Sequence, residues 1–257
     1  MRRIKIDQLK TTKNTKTMSK DIDKTKTNKM KIWLISDTHG KHEELIIPDN
    51  IDMLISAGDG GTYKNPHHCK PDMDRFLTWF NNLPIEHKVY IPGNHDTAME
   101  AGMIEEEMYQ EVYILKHEFI EIEGIRIFGS PYTPAFYDWA YNKTSYELMR
   151  LWKILEVHTD LDILVTHCPP WGILDKCQDG YRAGCRHLLY EVERAKPKYH
   201  VFGHIHEDGG KEEEHNGTKF INASILDLRY NHHNNGQIIE LLNQNKEDDG
   251  RMHKRNT

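Results

Sequence analysis

The sequence predicts a layered α/β body containing two packed sheets. Three observations carry that expectation. Short apolar runs of β-branched and aromatic residues recur along the chain, bounded by Gly, Pro, Asn or Asp, and read as buried strands. Stretches with apolar residues at helical spacing lie between several of them. Strands come both early and late, with helices between.

The elements follow in order. IWLIS predicts a first strand ending at Ser36, and IDMLISAG a second ending at Ala57. Phe76, Trp79, Phe80 and Leu83 form a stripe at helical spacing between Pro71 and Leu83, which reads as core packing. Lys88 to Ile91 predicts a third strand leading into Gly93-Asn94-His95-Asp96. Alternation from Phe119 to Phe128 around Glu123-Gly124 predicts a β-hairpin. A helix is expected from about Thr144 to Val157, with Leu148, Leu151, Trp152 and Leu155 on one face. A strand at Asp162 to Thr166, a helix at Cys185 to Ala195 and a strand at Tyr199 to Phe202 follow. Two strands near Lys219 to Asn222 and Gln237 to Leu241 close the body.

A chain of 257 residues, 37% hydrophobic, can bury one sizeable core. The expected organisation is a basic leader over 1–29, one catalytic domain over 30–242 and a polar tail over 243–257. No apolar run approaches the ~18 residues of a membrane span. The N-terminus lacks the apolar core of a signal peptide. The four cysteines show no C-x-x-C, which disfavours a zinc knuckle. Reduced thiols in a cytoplasmic protein are expected. Residues 1–31 hold nine Lys and two Arg against three Asp, a formal +8; the total of −6 therefore leaves −14 on the rest. An acidic body argues against a broad nucleic-acid groove. Nucleic acid or anionic lipid is a partner only for the leader, and a solvated segment is the simpler expectation there.

The chemistry concentrates where strands end. Asp37-Thr38-His39, Gly58-Asp59, Gly93-Asn94-His95-Asp96, His167 and Gly203-His204-Ile205-His206 each follow an apolar run. Extended backbone points positions i and i+2 to one face, so Asp37 and His39 are expected to reach one ion. Asp59 has two oxygens with which to bridge two cations. Seventeen histidines make any single D-x-H or H-x-H weak; the strength lies in five pieces, each at a strand end. His67, His68 and Cys69 read as a Pro-flanked loop. His42 and Glu43 read either as pocket lining or as a solvated helix start, and Cys168 as a packed thiol. His232 and His233 carry little signal, and Tyr132 and Trp139 more often pack than bind.

These motifs, in this order, resemble the calcineurin-like metallophosphoesterase superfamily over roughly residues 31 to 242. Ser130-Pro131-Tyr132-Thr133-Pro134, Asp138-Trp139-Ala140-Tyr141-Asn142, Thr166-His167-Cys168-Pro169-Pro170, Gly184-Cys185 and Lys198 to Glu207 resemble, more closely, the small metallophosphoesterase-domain proteins typified by brain cyclic-nucleotide phosphodiesterases. The resemblance implies a four-layer α/β/β/α sandwich of two mixed sheets flanked by helices. It implies two divalent metal ions: one held by Asp37, His39, Asp59 and His206, the other by Asp59, Asn94, His167 and His204. It implies that His95 faces the substrate phosphate, donating to the leaving oxygen or to the phosphoryl oxygens, and that Asp96 orients His95. Manganese is the first expectation, with iron, zinc or nickel also suited to oxygen and imidazole donors. Many superfamily members carry a second acid after the bridging Asp, where this chain has Gly60-Gly61.

The function expected from this is a phosphodiesterase for small nucleotides, cyclic ones included, working through a hydroxide between the two ions. A phosphomonoesterase or nuclease of the same superfamily is the alternative. A non-catalytic metal-dependent interaction module ranks below both, because every ligand position and His95 are filled.

Overall fold

The computed structural model describes residues 29–157 and 160–242. The expected leader lies outside the described residues except for Lys29, and the expected tail over 243–257 lies wholly outside them. The chain order is β1 (Lys29–Ile35), β2 (Met53–Ser56), α1 (Pro66–Asn82), β3 (His87–Tyr90), α2 (Thr97–Glu100), β4 (Tyr113–Ile114), β5 (Glu118–Ile122) and β6 (Ile125–Ser130). Then come β7 (Thr133–Pro134), β8 (Asn142–Lys143), α3 (Ser145–Leu151), β9 (Ile163–Thr166), α4 (Arg186–Ala195), β10 (Tyr199–Phe202), β11 (Glu212–His215), β12 (Thr218–Asn222) and β13 (Gln237–Leu242).

Two mixed sheets result. The first runs β13-β1-β2-β3-β4, with β13 antiparallel and the rest parallel. The second runs β11-β12-β10-β9-β6-β5, parallel in the middle with antiparallel edges. Side-chain alternation sorts the strands into layers. Ile32, Leu34, Ile55, Val89, Ile127, Val165, Val201 and Ile221 pack between the sheets. Their neighbours Trp33, Ile35, Leu54 and Tyr90 pack outward on α1 through Met73, Phe76, Leu77 and Phe80. Phe128, Leu164, Phe202 and Phe220 pack outward on α3 and α4 through Leu148, Leu188 and Val192. The layers are therefore α/β/β/α. Strands buried on both faces explain the near-continuous apolar runs.

Two helix boundaries differ from expectation. α1 begins at Pro66, so His67, His68 and Cys69 lie in its first turns and not in a loop. The Asn65 side chain accepts from His67 N at 2.9 Å and Pro66 occupies the first turn, a cap that helical periodicity alone overlooks. α3 opens on a capping box between Thr144 and Glu147 but ends at Leu151; Trp152–Val157 continues as a tighter 3-10 turn.

The parallel strands set the site. Asp37, Asp59 and Asn94 follow β1, β2 and β3; His167 and His204 follow β9 and β10. Ligands gather outside the carboxyl ends of such strands. The two sheet ends are stitched there by a bridge between Ser36 and Ser224, with Ile225 N donating to Ser36 O at 3.1 Å.

Candidate metal centre

The backbone at these strand ends is left-handed, not extended. Asp37, His39, Asp59 and His204 have φ of 55°, 40°, 57° and 69°. The extended-strand reason for pairing Asp37 with His39 is thus wrong, although the two do meet. Each such residue costs on the order of 1 kcal/mol, and strain of this kind collects at functional sites. The motif glycines have a steric cause. A Cβ on Gly93 would strike Asp59 Oδ1, and one on Gly203 would strike Asp37 Oδ2.

Three histidines are turned the same way. His39 Nδ1 lies 3.0 Å from Gly61 O, His167 Nδ1 2.8 Å from Ala57 O and His206 Nδ1 3.1 Å from Asp227 O. A carbonyl accepts, so each Nδ1 carries the proton and each Nε2 offers a lone pair inward. His39 Nε2 is buried without a hydrogen-bond partner. His167 Nε2 lies 2.9 Å from Asn94 Oδ1, lone pair against lone pair unless a cation or proton intervenes.

The carboxylates complete the centre. Asp59 Oδ2 stands 3.7 Å from His39 Nε2 and 3.4 Å from His167 Nε2, between the two rings. Asp59 Oδ1 accepts from His95 N at 2.7 Å. Asp37 Oδ1 is 3.7 Å from His206 Nε2, and its carboxylate accepts from His204 N at 3.0 and 3.1 Å and from Ser224 Oγ at 2.6 Å. Donor atoms of Asp37, His39 and His206 lie within 4.8 Å of one another. So do those of His39, Asp59 and His95, and those of Asp37, Asp59 and His167. The His204 ring packs edge-on to His167 at 5.1 Å. All seven expected ligand residues therefore converge.

Electrostatics reflects two buried carboxylates facing a ring of imidazoles. Burial alone would raise the Asp37 carboxyl, but His206, with His167 and His39 behind it, holds it well below the usual carboxylate range. Burial likewise opposes ionisation of Asp59, and His167 and His95 outweigh it. Burial pushes His39 and His204 down to about 4. Burial also acts against His167, but Asp59 carries it up to about 9; Asp37 carries His206 up to about 8 against the same opposition. The carboxylates thus favour positive charge beside His167 and His206. Paired carboxylates, Nε2 atoms turned inward and an orphaned one among them fit divalent ions, which would take the place of a proton on Nε2.

His95 stands apart from this set. Its Nδ1 lies 3.0 Å from Thr62 O, and the Trp139 ring stacks on it at 4.0 Å. The expected bond from Asp96 to His95 is not made. Adjacent residues project to different sides, and Asp96 turns under the neighbouring loops. It accepts from Asp59 N at 3.1 Å, Gly61 N at 2.9 Å, Gly93 N at 2.6 Å and Tyr90 Oη at 2.5 Å. Burial, then Asp59, pushes its carboxyl up to about 6. Asp96 fixes the Asp59 loop, and Thr62 and Trp139 hold the His95 ring.

Other expectations also shift. His42 is neither solvated nor pocket lining; it is buried against Phe76 and Trp79. Cys69 is buried and donates to His95 O at 3.2 Å. Cys168 is a buried thiol, as expected, and His232 and His233 are exposed. A Cβ on Gly60 would meet the Phe76 ring at 2.6 Å, so a side chain is excluded there. Tyr90, Ser224 and Asp227 carried no sequence signal, because a strand tyrosine, a loop serine and a backbone carbonyl resemble many others.

A four-layer fold with paired carboxylates and inward imidazoles at its sheet ends defines a metal-dependent phosphoester hydrolase. The profile described as calcineurin-like phosphoesterase matches residues 30–208, and the chain belongs to that family. Human metallophosphoesterase domain-containing protein 1 is 34% identical over 237 residues, covering 80% of this chain and 69% of the relative. The phosphopantetheinyl hydrolase of Mycobacterium tuberculosis superposes with a TM-score of 0.53 at 18% identity, over 79% of this chain and 92% of its own. TT1561 of Thermus thermophilus superposes at 0.56 with 16% identity, over 78% and 95%. These two structures support the fold alone. No helix among the described residues is long and apolar enough to cross a membrane.

Proposed function

We propose that residues 30–242 form one catalytic domain, a dinuclear-metal phosphodiesterase for small nucleotides, cyclic ones included. The observation that carries this is Asp59 Oδ2 standing between His39 Nε2 and His167 Nε2. Asp37, His39, Asp59 and His206 would hold one divalent ion, and Asp59, Asn94, His167 and His204 the other. Bound there, the ions would polarise phosphoryl oxygens and lower the pKa of water at the site. Oxygen and imidazole donors suit manganese first, with iron, zinc and nickel close behind.

The chain's own residues supply the rest. His95 is half-buried with Nδ1 facing Thr62 O, which leaves Nε2 to face substrate. From Nε2 a proton passes to the leaving alkoxide. Trp139 and Thr62 keep that ring from turning. Asp96 positions Asp59 through three loop N–H groups. The four cysteines are unpaired, which supports a cytoplasmic location.

Protein loaded with Mn²⁺ is expected to hydrolyse bis-p-nitrophenyl phosphate, and His95→Ala to lower kcat by ~10²–10⁴. Loaded protein that leaves the diester intact, or that hydrolyses it equally well without His95, contradicts the proposal. A panel of 3′,5′- and 2′,3′-cyclic nucleotides, monoesters and single-stranded DNA separates diesterase from monoesterase and nuclease.

A further inference from the structure

A cavity of about 340 Å³ opens beside the centre, with His204 and His206 in its wall. The rest of that wall is largely aromatic and aliphatic, including Phe136, Tyr181, Leu228 and Tyr230. Phe136 is 50% exposed and Tyr181 62%, large apolar faces left open to an incoming ring. The described lining contains the Glu207 carboxylate and no Lys or Arg. An uncharged planar group suits such a wall; a further phosphate does not.

The cavity meets the centre at His204 and His206. The His39 ring packs against both His95, at 4.7 Å, and His206, at 5.3 Å. His206 lines the cavity; His95 and its covering Trp139 do not. An ester oxygen leaving beside His95 is thus set apart from this cavity. Its occupant is the group held through the oxygen that stays on phosphorus, which in a cyclic nucleotide is the same nucleoside. A monoester has no such substituent.

The wall is built in advance. Tyr181 sits on a tight loop closed by Cys177 N donating to Tyr181 O at 2.8 Å. The fully buried Asp175 anchors that loop, accepting from Arg182 Nη1 at 2.5 Å and Gly172 N at 2.8 Å. Glu207 Oε1 accepts from Gln178 N at 2.8 Å and ties the loop to the histidine motif. Across the cavity, Asn142 Nδ2 donates to Phe136 O at 2.9 Å. Preorganised walls lose little entropy on binding.

We propose that this cavity is a subsite for the ester substituent retained on phosphorus, and that it selects diesters whose retained group carries a neutral aromatic ring, such as a nucleobase. The proposal rests on the diesterase reading above, and its test separates the two. Phenyl phosphate mimics the product that keeps an aromatic substituent; methyl phosphate mimics one that does not. Calorimetry with Mn²⁺-loaded protein is expected to show phenyl phosphate binding about tenfold more tightly than methyl phosphate. Phe136→Ala and Tyr181→Ala are each expected to erode that preference and leave methyl phosphate affinity unchanged. In turnover, both variants should raise KM for bis-p-nitrophenyl phosphate but not for methyl p-nitrophenyl phosphate. Equal affinity of wild-type protein for the two monoesters, or an equal loss for both in the variants, overturns the subsite. A binding preference without hydrolysis of either diester supports the subsite and overturns the diesterase; hydrolysis of both without a preference does the reverse.

Discussion

Asp59 holds its place because Asp96 lies under it, and neither role shows in the residue type. Strand-end position marks Asp59 as a candidate ligand, and the resemblance implies that it bridges. The sequence misassigned Asp96, since proximity in sequence to His95 suggested a contact that side-chain direction forbids. Tyr90 completes that support, donating to Asp96 at 2.5 Å from the middle of a buried cluster. The candidate ligands are legible because their types are unusual at strand ends; supporting residues are not, because their types are ordinary there. Buried His200 offers a second test at this scale. Its Nε2 donates to Thr166 Oγ1 at 2.8 Å, while Nδ1 has no partner. Burial pushes its pKa from 6.5 down to about 3. Between those values the unfolded chain takes up a proton that the folded protein refuses, so this histidine lowers stability as pH falls. Urea unfolding of wild type and His200→Phe at pH 7 and pH 5 checks the sign. The wild type is expected to lose more stability than the variant on acidification; a pH-independent difference contradicts it.

Among the elements, the loop from Gly58 to Thr62 ties packing to chemistry. Gly61 O holds His39 Nδ1, Thr62 O holds His95 Nδ1, and Gly60 lies against Phe76 of α1. The glycine pair is therefore a packing requirement of this chain's helix layer. Gly60→Ala must push on a fully buried ring. It is expected to cost ~1–3 kcal/mol, seen as a lowered thermal midpoint, and to weaken metal retention through His39. A variant with unchanged midpoint and unchanged metal content contradicts that link. Strands and longer helices were legible from period and punctuation. The start of α1 is hidden from helical periodicity, because its first turn carries polar His67 and His68, although Asn65-Pro66 signals it. β7 and β8 left no trace, being two residues each and held by pairing with each other.

The whole molecule places its centre on the seam between the sheets. The first sheet delivers Asp37, His39, Asp59 and Asn94; the second delivers His167, His204 and His206. Each proposed ion would take ligands from both sheets, and Asp59 would belong to both ions. The layer order was legible only through resemblance, since alternating burial shows which faces are apolar but not which sheet meets which helix. A shared carboxylate would make loss of one residue unlike loss of another. Purified wild-type protein is expected to carry about two divalent ions per chain. Elemental analysis of Asn94→Ala should show loss mainly at one site, whereas Asp59→Ala should deplete both. An Asp59→Ala protein that folds and retains a full pair of ions would contradict the bridged centre.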